Sequence, residues 1–246
     1  MNTTVGSALA ANALALSKNV YPGRGIVMGM DETGKFAVQL YWIMGRSGNS
    51  RNRVFGCEGG RLFTEAADPT KVTDPSLIIY NAMMEGDGHF VVSNGHQTND
   101  VYEGLRRGNT LESIHRRLKY EPDEPNFTPR ITGAFRKGQK NAFQLSLVRK
   151  SAWDDSSKRS IFAYERIPAG VGFCVTTYTG DGSPLPPFQG EPLIMPLVGD
   201  QDAIAQRYWQ ALNGENRVSL AVKFIPGPAG LSSYTKVINR FTKVAQ

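Results

Sequence analysis

Residues 36–44 read FAVQLYWIM, a run in which Gln39 is the one strongly polar side chain. A strand that is apolar on both faces has to be covered on both. Strand-like runs recur at 77–84 (LIIYNAMM), 89–94 (HFVVSN), 141–149 (NAFQLSLVR), 160–167 (SIFAYERI), 171–179 (VGFCVTTYT), 216–224 and 234–241. Near-continuous apolar strands fit a sheet that lies against a second sheet on one side and against helices on the other. Gly25–Met30 and Phe36–Met44 read as a hairpin joined by DETGK, whose Asp and Gly suit a tight turn.

Helical signals come in blocks between groups of strands. They fall at residues 1–19, rich in Ala and Leu, at Thr98–Arg107 and Thr110–Lys119 with Gly108 and Asn109 as stop and restart, and at Asp200–Asn213. That order predicts an α+β fold of antiparallel sheets with helices packed outside them, in place of a βαβ crossover fold. The expected organisation is an N-terminal extension, 1–19, followed by one domain, 20–246. The Pro/Gly-rich stretch 180–192 reads as a lid or surface connection.

Charged residues make up 20% of the 246 and hydrophobic residues 40%, which excludes a disordered chain. No apolar run reaches the roughly 18 residues that a membrane span needs. The formal charge of +6 favours anionic partners. Its densest cluster, Arg106, Arg107, Arg116, Arg117 and Lys119, falls on helical segments and reads as a solvated face, so no nucleic acid is expected. Two cysteines, Cys57 and Cys174, imply no disulfide framework and fit a reducing, cytoplasmic setting. The first basic side chain is Lys18, unlike a signal peptide. His89, His96 and His115 are scattered, and neither metal nor cofactor is expected.

Four polar stretches interrupt the strands. MGRSGNSRNRVF, 44–55, places Arg46, Arg51 and Arg53 among Gly, Ser and Asn, a composition that suits a phosphate and equally a solvated loop. Tyr80 and Asn81 lie inside an apolar run, where a polar group needs a partner or a purpose. Asn94, Gly95 and His96 fall where a strand passes into a helix, with Thr98 expected as N-cap. YEPDEPNFTPR, 120–130, combines prolines, three carboxylates and Arg130. Singly, each has an ordinary reading: a core tyrosine, a capping residue, solvated turn carboxylates.

In this order, YPGRGIVMG, SRNR, DPSLIIYNAM, VVSNGHQTND and YEPDEPNFTPRI resemble the archaeal-type IMP cyclohydrolase family from about Tyr21 onward. The resemblance implies a four-layer αββα sandwich of the N-terminal nucleophile hydrolase kind without autoprocessing, since Tyr21 is no Ser, Thr or Cys. It implies ring closure of a formamido-imidazole-carboxamide ribotide to inosine monophosphate, a small-molecule substrate, and no cofactor. By the same resemblance Tyr80 and Glu121 are the expected catalytic pair, in donor and proton-accepting roles that could be exchanged. Arg46, Arg51 and Arg53, helped by Arg130 or Arg24, would hold the phosphate, and Asn81 and Asn94 would read carboxamide and imidazole. Competing readings are a nucleotide-binding relative without this activity and an amidohydrolase matured between Gly56 and Cys57. A homo-oligomer is compatible with all of them.

Overall fold

The computed structural model describes residues 3–72, 74–139, 143–227 and 231–244. In chain order the elements are α1 (Thr3–Lys18), β1 (Gly25–Met30), β2 (Phe36–Met44), α2 (Gly48–Arg51), β3 (Arg53–Glu58), β4 (Arg61–Ala66), β5 (Asn81–Gly86) and β6 (His89–Ser93). There follow α3 (Gln97–Arg106), α4 (Leu111–His115), β7 (Arg130–Arg136), β8 (Phe143–Lys150), β9 (Ser157–Tyr164), β10 (Val171–Thr176), β11 (Leu193–Pro196), α5 (Gln201–Ala211), β12 (Arg217–Pro226) and β13 (Tyr234–Asn239). The fold is α+β, with two antiparallel sheets ordered β11-β10-β1-β2-β12-β13 and β3-β4-β5-β6-β7-β8-β9.

The double-sided strand behaves as its sequence demands. Ala37, Tyr41 and Ile43 of β2 enter a core with Phe55, Leu62, Val92, Ile131 and Leu145 of the other sheet. Val38, Leu40, Trp42 and Met44 face the opposite way, onto Ile204, Ala205 and Tyr208 of α5 and Leu16 of α1. On the far side of the second sheet, Val91 packs with Val101 and Tyr102 of α3 and Leu111 of α4. Polar cross-ties pin the two sheets together. Gln39 Nε2 donates to the Phe90 carbonyl at 3.1 Å, and the buried Lys223 ammonium meets Glu85 Oε2 at 2.6 Å.

The N-terminal segment, read from sequence as an appendage, is packed. Leu9 and Leu16 of α1 are buried, and Asn12 Nδ2 donates to the Ile194 carbonyl of edge strand β11 at 2.9 Å. Four strands escaped the sequence reading. The hairpin β3–β4 turns at Gly59 and Gly60, both at positive φ, so that Glu58 faces Arg61. β7 begins at Arg130, the last residue of the charged stretch 120–130, and β11 follows the Pro/Gly-rich loop.

Other boundaries move for identifiable reasons. The strand expected at 77–84 begins only at Asn81, because the Pro75 carbonyl accepts from the amides of Ile78 and Ile79 and closes a turn. The helix expected over Thr110–Lys119 stops at His115, because the Arg159 guanidinium takes the carbonyls of His115 and Leu118 at 2.6 and 2.8 Å. Thr98 is not the N-cap of α3; that position is His96, and the Thr98 hydroxyl bonds the Gly95 carbonyl inside the first turn. Residues 141 and 142 of the strand expected at 141–149 lie outside the described residues. The basic cluster on α3 and α4 is paired locally, Arg106 with Asp87 and Arg116 with Glu112.

His115 supplies a test of this packing. Its Nδ1 bonds the Leu111 carbonyl at 2.8 Å and its Nε2 meets Ser146 Oγ at 2.6 Å. A carbonyl can only accept, so Nδ1 carries the proton and Nε2 accepts from the serine hydroxyl. Burial holds this imidazole down at about 4, the Leu111 bond opposing and Arg159 adding to the effect. A depressed histidine stabilises the fold fully above its unfolded value, near 6.5, and loses that contribution as pH falls toward 4. Urea unfolding at pH 7.5 and at pH 4.5 is expected to show a loss on the order of 3 kcal/mol from this residue. His115→Gln flattens that part of the dependence.

Candidate active site

The strands converge on one end of the two sheets. Gly25 at the start of β1 pairs with both Trp42 and Thr176, so the entry to β1, the exit of β2 and the exit of β10 lie side by side. The entries to β3 and β7, at Arg53 and Arg130, carry the second sheet to the same region. There a cavity of about 290 Å³ is lined by Arg24, Arg46, Arg53, Glu121, Asp123 and Tyr178, with Tyr21, Asn49, Ile78 and Leu185 among the remaining walls. Three guanidinium groups and two carboxylates thus share one small space.

Its fixed point is an ion pair. Arg24 Nη2 lies 2.9 Å from both oxygens of Glu121, whose carboxyl is 3% exposed. Burial lifts the Glu121 carboxyl above its ordinary value, and the charges of Arg24 and Arg130 pull the other way. The loop bearing Glu121 is held by its own side chains. Asp123 Oδ1 accepts from the Thr128 amide at 2.6 Å, and its other oxygen accepts from the Thr128 hydroxyl. With that hydrogen committed, Thr128 Oγ1 accepts from Tyr178 Oη at 2.5 Å. Burial pushes the Tyr178 phenol up to about 12.

The arginines divide. Arg53 is 1% exposed; its Nε and Nη2 donate to the carbonyls of Ser50 and Met44 at 2.8 and 3.2 Å. Among the described residues, no carboxylate stands in ion-pair range of it. Arg46 lies over the Tyr21 ring and reaches Asp181 Oδ1 at 2.5 Å. Arg51 is turned away from the cavity, its Nε and Nη2 bound to the Gly45 carbonyl and Asn216 Oδ1. Among the described residues, two polar atoms of the cavity walls, Arg24 Nε and Asn49 Oδ1, are buried without a partner and are open to a ligand's hydrogen bonds.

The family of sequences described as IMP cyclohydrolase-like protein matches residues 21–228. This chain belongs to that family. A relative, the IMP cyclohydrolase of Methanopyrus kandleri, is 32% identical over 117 residues, 46% of this chain and 57% of its own length. The chain therefore spans little more than half of that relative. The family match begins at Tyr21, which leaves α1 outside it.

Within this IMP cyclohydrolase-like chain, the remaining sequence-derived residues are not among those that line the cavity. Tyr80 is 5% exposed, and its hydroxyl meets that of Tyr41 at 2.7 Å, both within electrostatic reach of Arg24. Asn94 is fully buried. Its Nδ2 donates to Glu121 Oε1 and the Pro129 carbonyl, and its Oδ1 accepts from Gln97 Nε2 and the Ile131 amide. Every hydrogen-bonding site of that amide is occupied, so Asn94 orients Glu121 and has no donor left over. Arg130 donates to Gln97 Oε1 and the Lys119 carbonyl and stands 3.9 Å from Glu121. A Cβ on Gly95 would come within 2.8 Å of Gln97 Oε1 and 2.9 Å of Arg130 Nη1, so a larger residue there would have to displace those two side-chain ends. His96 bonds the Ser76 carbonyl with its ring edge-on to Tyr80, and Asn81 Nδ2 bonds Asn99 Oδ1.

Sequence reasoning missed Tyr41, Tyr178 and Asn49. For Tyr41 a signal was present: a phenol inside an otherwise apolar strand, the same anomaly that drew notice to Tyr80. A larger cavity of about 640 Å³ lies between α1 and β10, but its walls are mainly apolar and the guanidinium cluster is not among them. Cys57 is exposed at the end of β3, away from the lining of either cavity. Among the described residues no group of His, Cys, Asp and Glu is arranged to hold a metal, and no helix is long and apolar enough to cross a membrane.

Asn94→Ala is expected to leave the Ile131 amide and the Pro129 carbonyl without their side-chain partner. Chemical denaturation should register a loss of about 2–4 kcal/mol.

Proposed function

We propose that the protein is an IMP cyclohydrolase, closing 5-formamidoimidazole-4-carboxamide ribotide to inosine monophosphate with loss of water. The observation that carries this reading is Arg53, a buried guanidinium with no carboxylate partner, in the same cavity as the Arg24–Glu121 pair. A buried cation without a counter-ion is costly, and a bound phosphate would complete it. Membership of the IMP cyclohydrolase-like family and the name of the Methanopyrus relative support the same substrate.

In this reading the 5′-phosphate sits between Arg53 and Arg46, whose planar guanidinium groups suit its oxygens. Arg46 gives up Asp181 to reach it. The formamide and carboxamide lie toward Glu121. Nucleophile and electrophile belong to one molecule, so freezing the reactive rotamer supplies much of the acceleration; well-oriented intramolecular reactions reach effective molarities of about 10⁵ to 10⁸ M. The carboxamide nitrogen attacks the formyl carbon and loses a proton to Glu121, while the formyl oxygen gains one. The ring is closed by that C–N bond; the resulting hydroxyl then takes the proton held by Glu121 and leaves as water, while the former formamide nitrogen gives up its hydrogen to restore the donor and forms the C=N bond.

Among the described residues Glu121 Oε2 has Arg24 as its sole protein partner, whereas Oε1 also takes Asn94. Oε2 is therefore the oxygen freer to accept. A carboxyl lifted by burial is better matched to proton transfer near neutral pH than an exposed one. Tyr80 donates to the formyl oxygen as it becomes negative. Neither metal nor cofactor enters the scheme. The architecture belongs, in this proposal, with the four-layer αββα sandwiches of N-terminal nucleophile hydrolases, used without autoprocessing. Residues 20–246 would then form one catalytic domain working in the cytoplasm.

Incubation of the purified chain with the formylated ribotide, followed by absorbance, should show inosine monophosphate appearing. Binding of the ribotide with no product formed would instead indicate a nucleotide-binding relative. Arg46→Ala should raise KM by roughly 10- to 100-fold with kcat nearly kept, the value of one or two charge-assisted hydrogen bonds. Tyr80→Phe should chiefly lower kcat; turnover at the unsubstituted rate would remove Tyr80 from the mechanism.

A further inference from the structure

Tyr41 stands on β2 with its side chain in the core between the sheets, its ring 5.6 Å from that of Phe55. It is fully buried, and among the described residues the one hydrogen-bond partner of its hydroxyl is the Tyr80 hydroxyl at 2.7 Å. Phenylalanine would fill the same space, so the hydroxyl has to be accounted for by what it touches.

A hydroxyl pair has one donor and one acceptor, and distance alone leaves the order open. The reaction settles it. For Tyr80 to give its hydrogen to an oxygen of the substrate, its own oxygen must accept from Tyr41. Burial, reinforced by the neighbouring Tyr80, pushes the Tyr41 phenol above its ordinary value, so this group keeps its hydrogen at working pH. The order is then Tyr41 O–H to Tyr80 oxygen, and Tyr80 O–H to the ligand. Hydrogen bonds in such a chain strengthen one another.

We propose that Tyr41 is a positioning residue for the cyclisation: its hydroxyl fixes the rotor of the Tyr80 hydroxyl so that the Tyr80 hydrogen points at the formyl oxygen. This rests on the ribotide reading given above. The role lies in the transition state, where charge grows on that oxygen, and little of it is felt when the substrate merely binds.

The test is a double-mutant cycle on the full chain, with kcat and KM for the formylated ribotide and Kd for inosine monophosphate. Tyr41→Phe should lower kcat roughly tenfold, about the worth of one hydrogen bond, with KM and product Kd within about twofold. In the Tyr80→Phe background, adding Tyr41→Phe should cost nothing further, because the hydroxyl it supports is already gone. A merely structural effect of Tyr41→Phe would persist in both backgrounds and weaken product binding too; that result, or an unchanged kcat in Tyr41→Phe, overturns the positioning role. Should Tyr41→Phe fold poorly, Tyr41→Met removes the same donor and must show the same loss of kcat in the Tyr80 background and not in the Tyr80→Phe one. Absence of product from the unsubstituted chain overturns the ribotide reaction itself, a failure that the wild-type arm shows separately.

Discussion

Arg24 and Glu121 meet where neither can be reached freely by water, and much of the site is arranged to make that tolerable. Taking two charges out of solvent costs several kcal/mol per ion, and attraction repays it only where geometry is good and the leftover lone pairs are satisfied. Both oxygens of Glu121 lie 2.9 Å from one guanidinium nitrogen, and Asn94 and Arg130 stand on the other side of the carboxylate. Replacement by apolar side chains would often be no less stable. What the pair provides is a joint between the chain entering β1 and the loop entering β7, one on each sheet. It thereby fixes the mouth of the cavity.

Polar contacts recur elsewhere between the layers, with a different character. Lys223 and Glu85 satisfy each other, with the Gly60 carbonyl and the Ser233 hydroxyl completing the set. Nothing in that set is left waiting. Around the cavity, by contrast, Arg24 Nε and Asn49 Oδ1 are buried and unpaired, and Arg53 has carbonyl partners but no counter-charge. A buried polar atom without a partner is destabilising unless a ligand completes it, and among the described residues two such atoms share one cavity with a guanidinium that lacks a counter-charge.

The layers were legible because burial on both faces leaves a direct mark on composition, as at residues 36–44. The hairpin β3–β4 carries a Gly-Gly turn signal of its own, but it follows directly on an arginine-bearing loop whose Ser, Asn and Gly read equally as ligand-binding or solvated backbone. Boundaries were less legible where a distant group decides them: α4 ends at a guanidinium more than forty residues further along the chain. The same limit governs the site. Arg53, singled out by its loop, and Glu121, named by the resemblance, both line the cavity, yet Arg51 carries the same composition cues as Arg53 and points at Asn216. Asn94 was picked out as a ligand contact and turns out to be saturated by the protein, because hydrogen-bond capacity is spent through tertiary neighbours that no local pattern displays.

Sheets end somewhere, and an open edge invites another strand. On the side of β11 that invitation is answered by α1, which ties Asn12 to the Ile194 carbonyl of the edge strand and packs Leu16 on the outer face of the same sheet. Since the family match starts only at Tyr21, the segment doing this lies outside the shared part of the chain. The helix works as a selvedge: it finishes a fabric woven by other residues, and keeps a neighbouring molecule from continuing the weave.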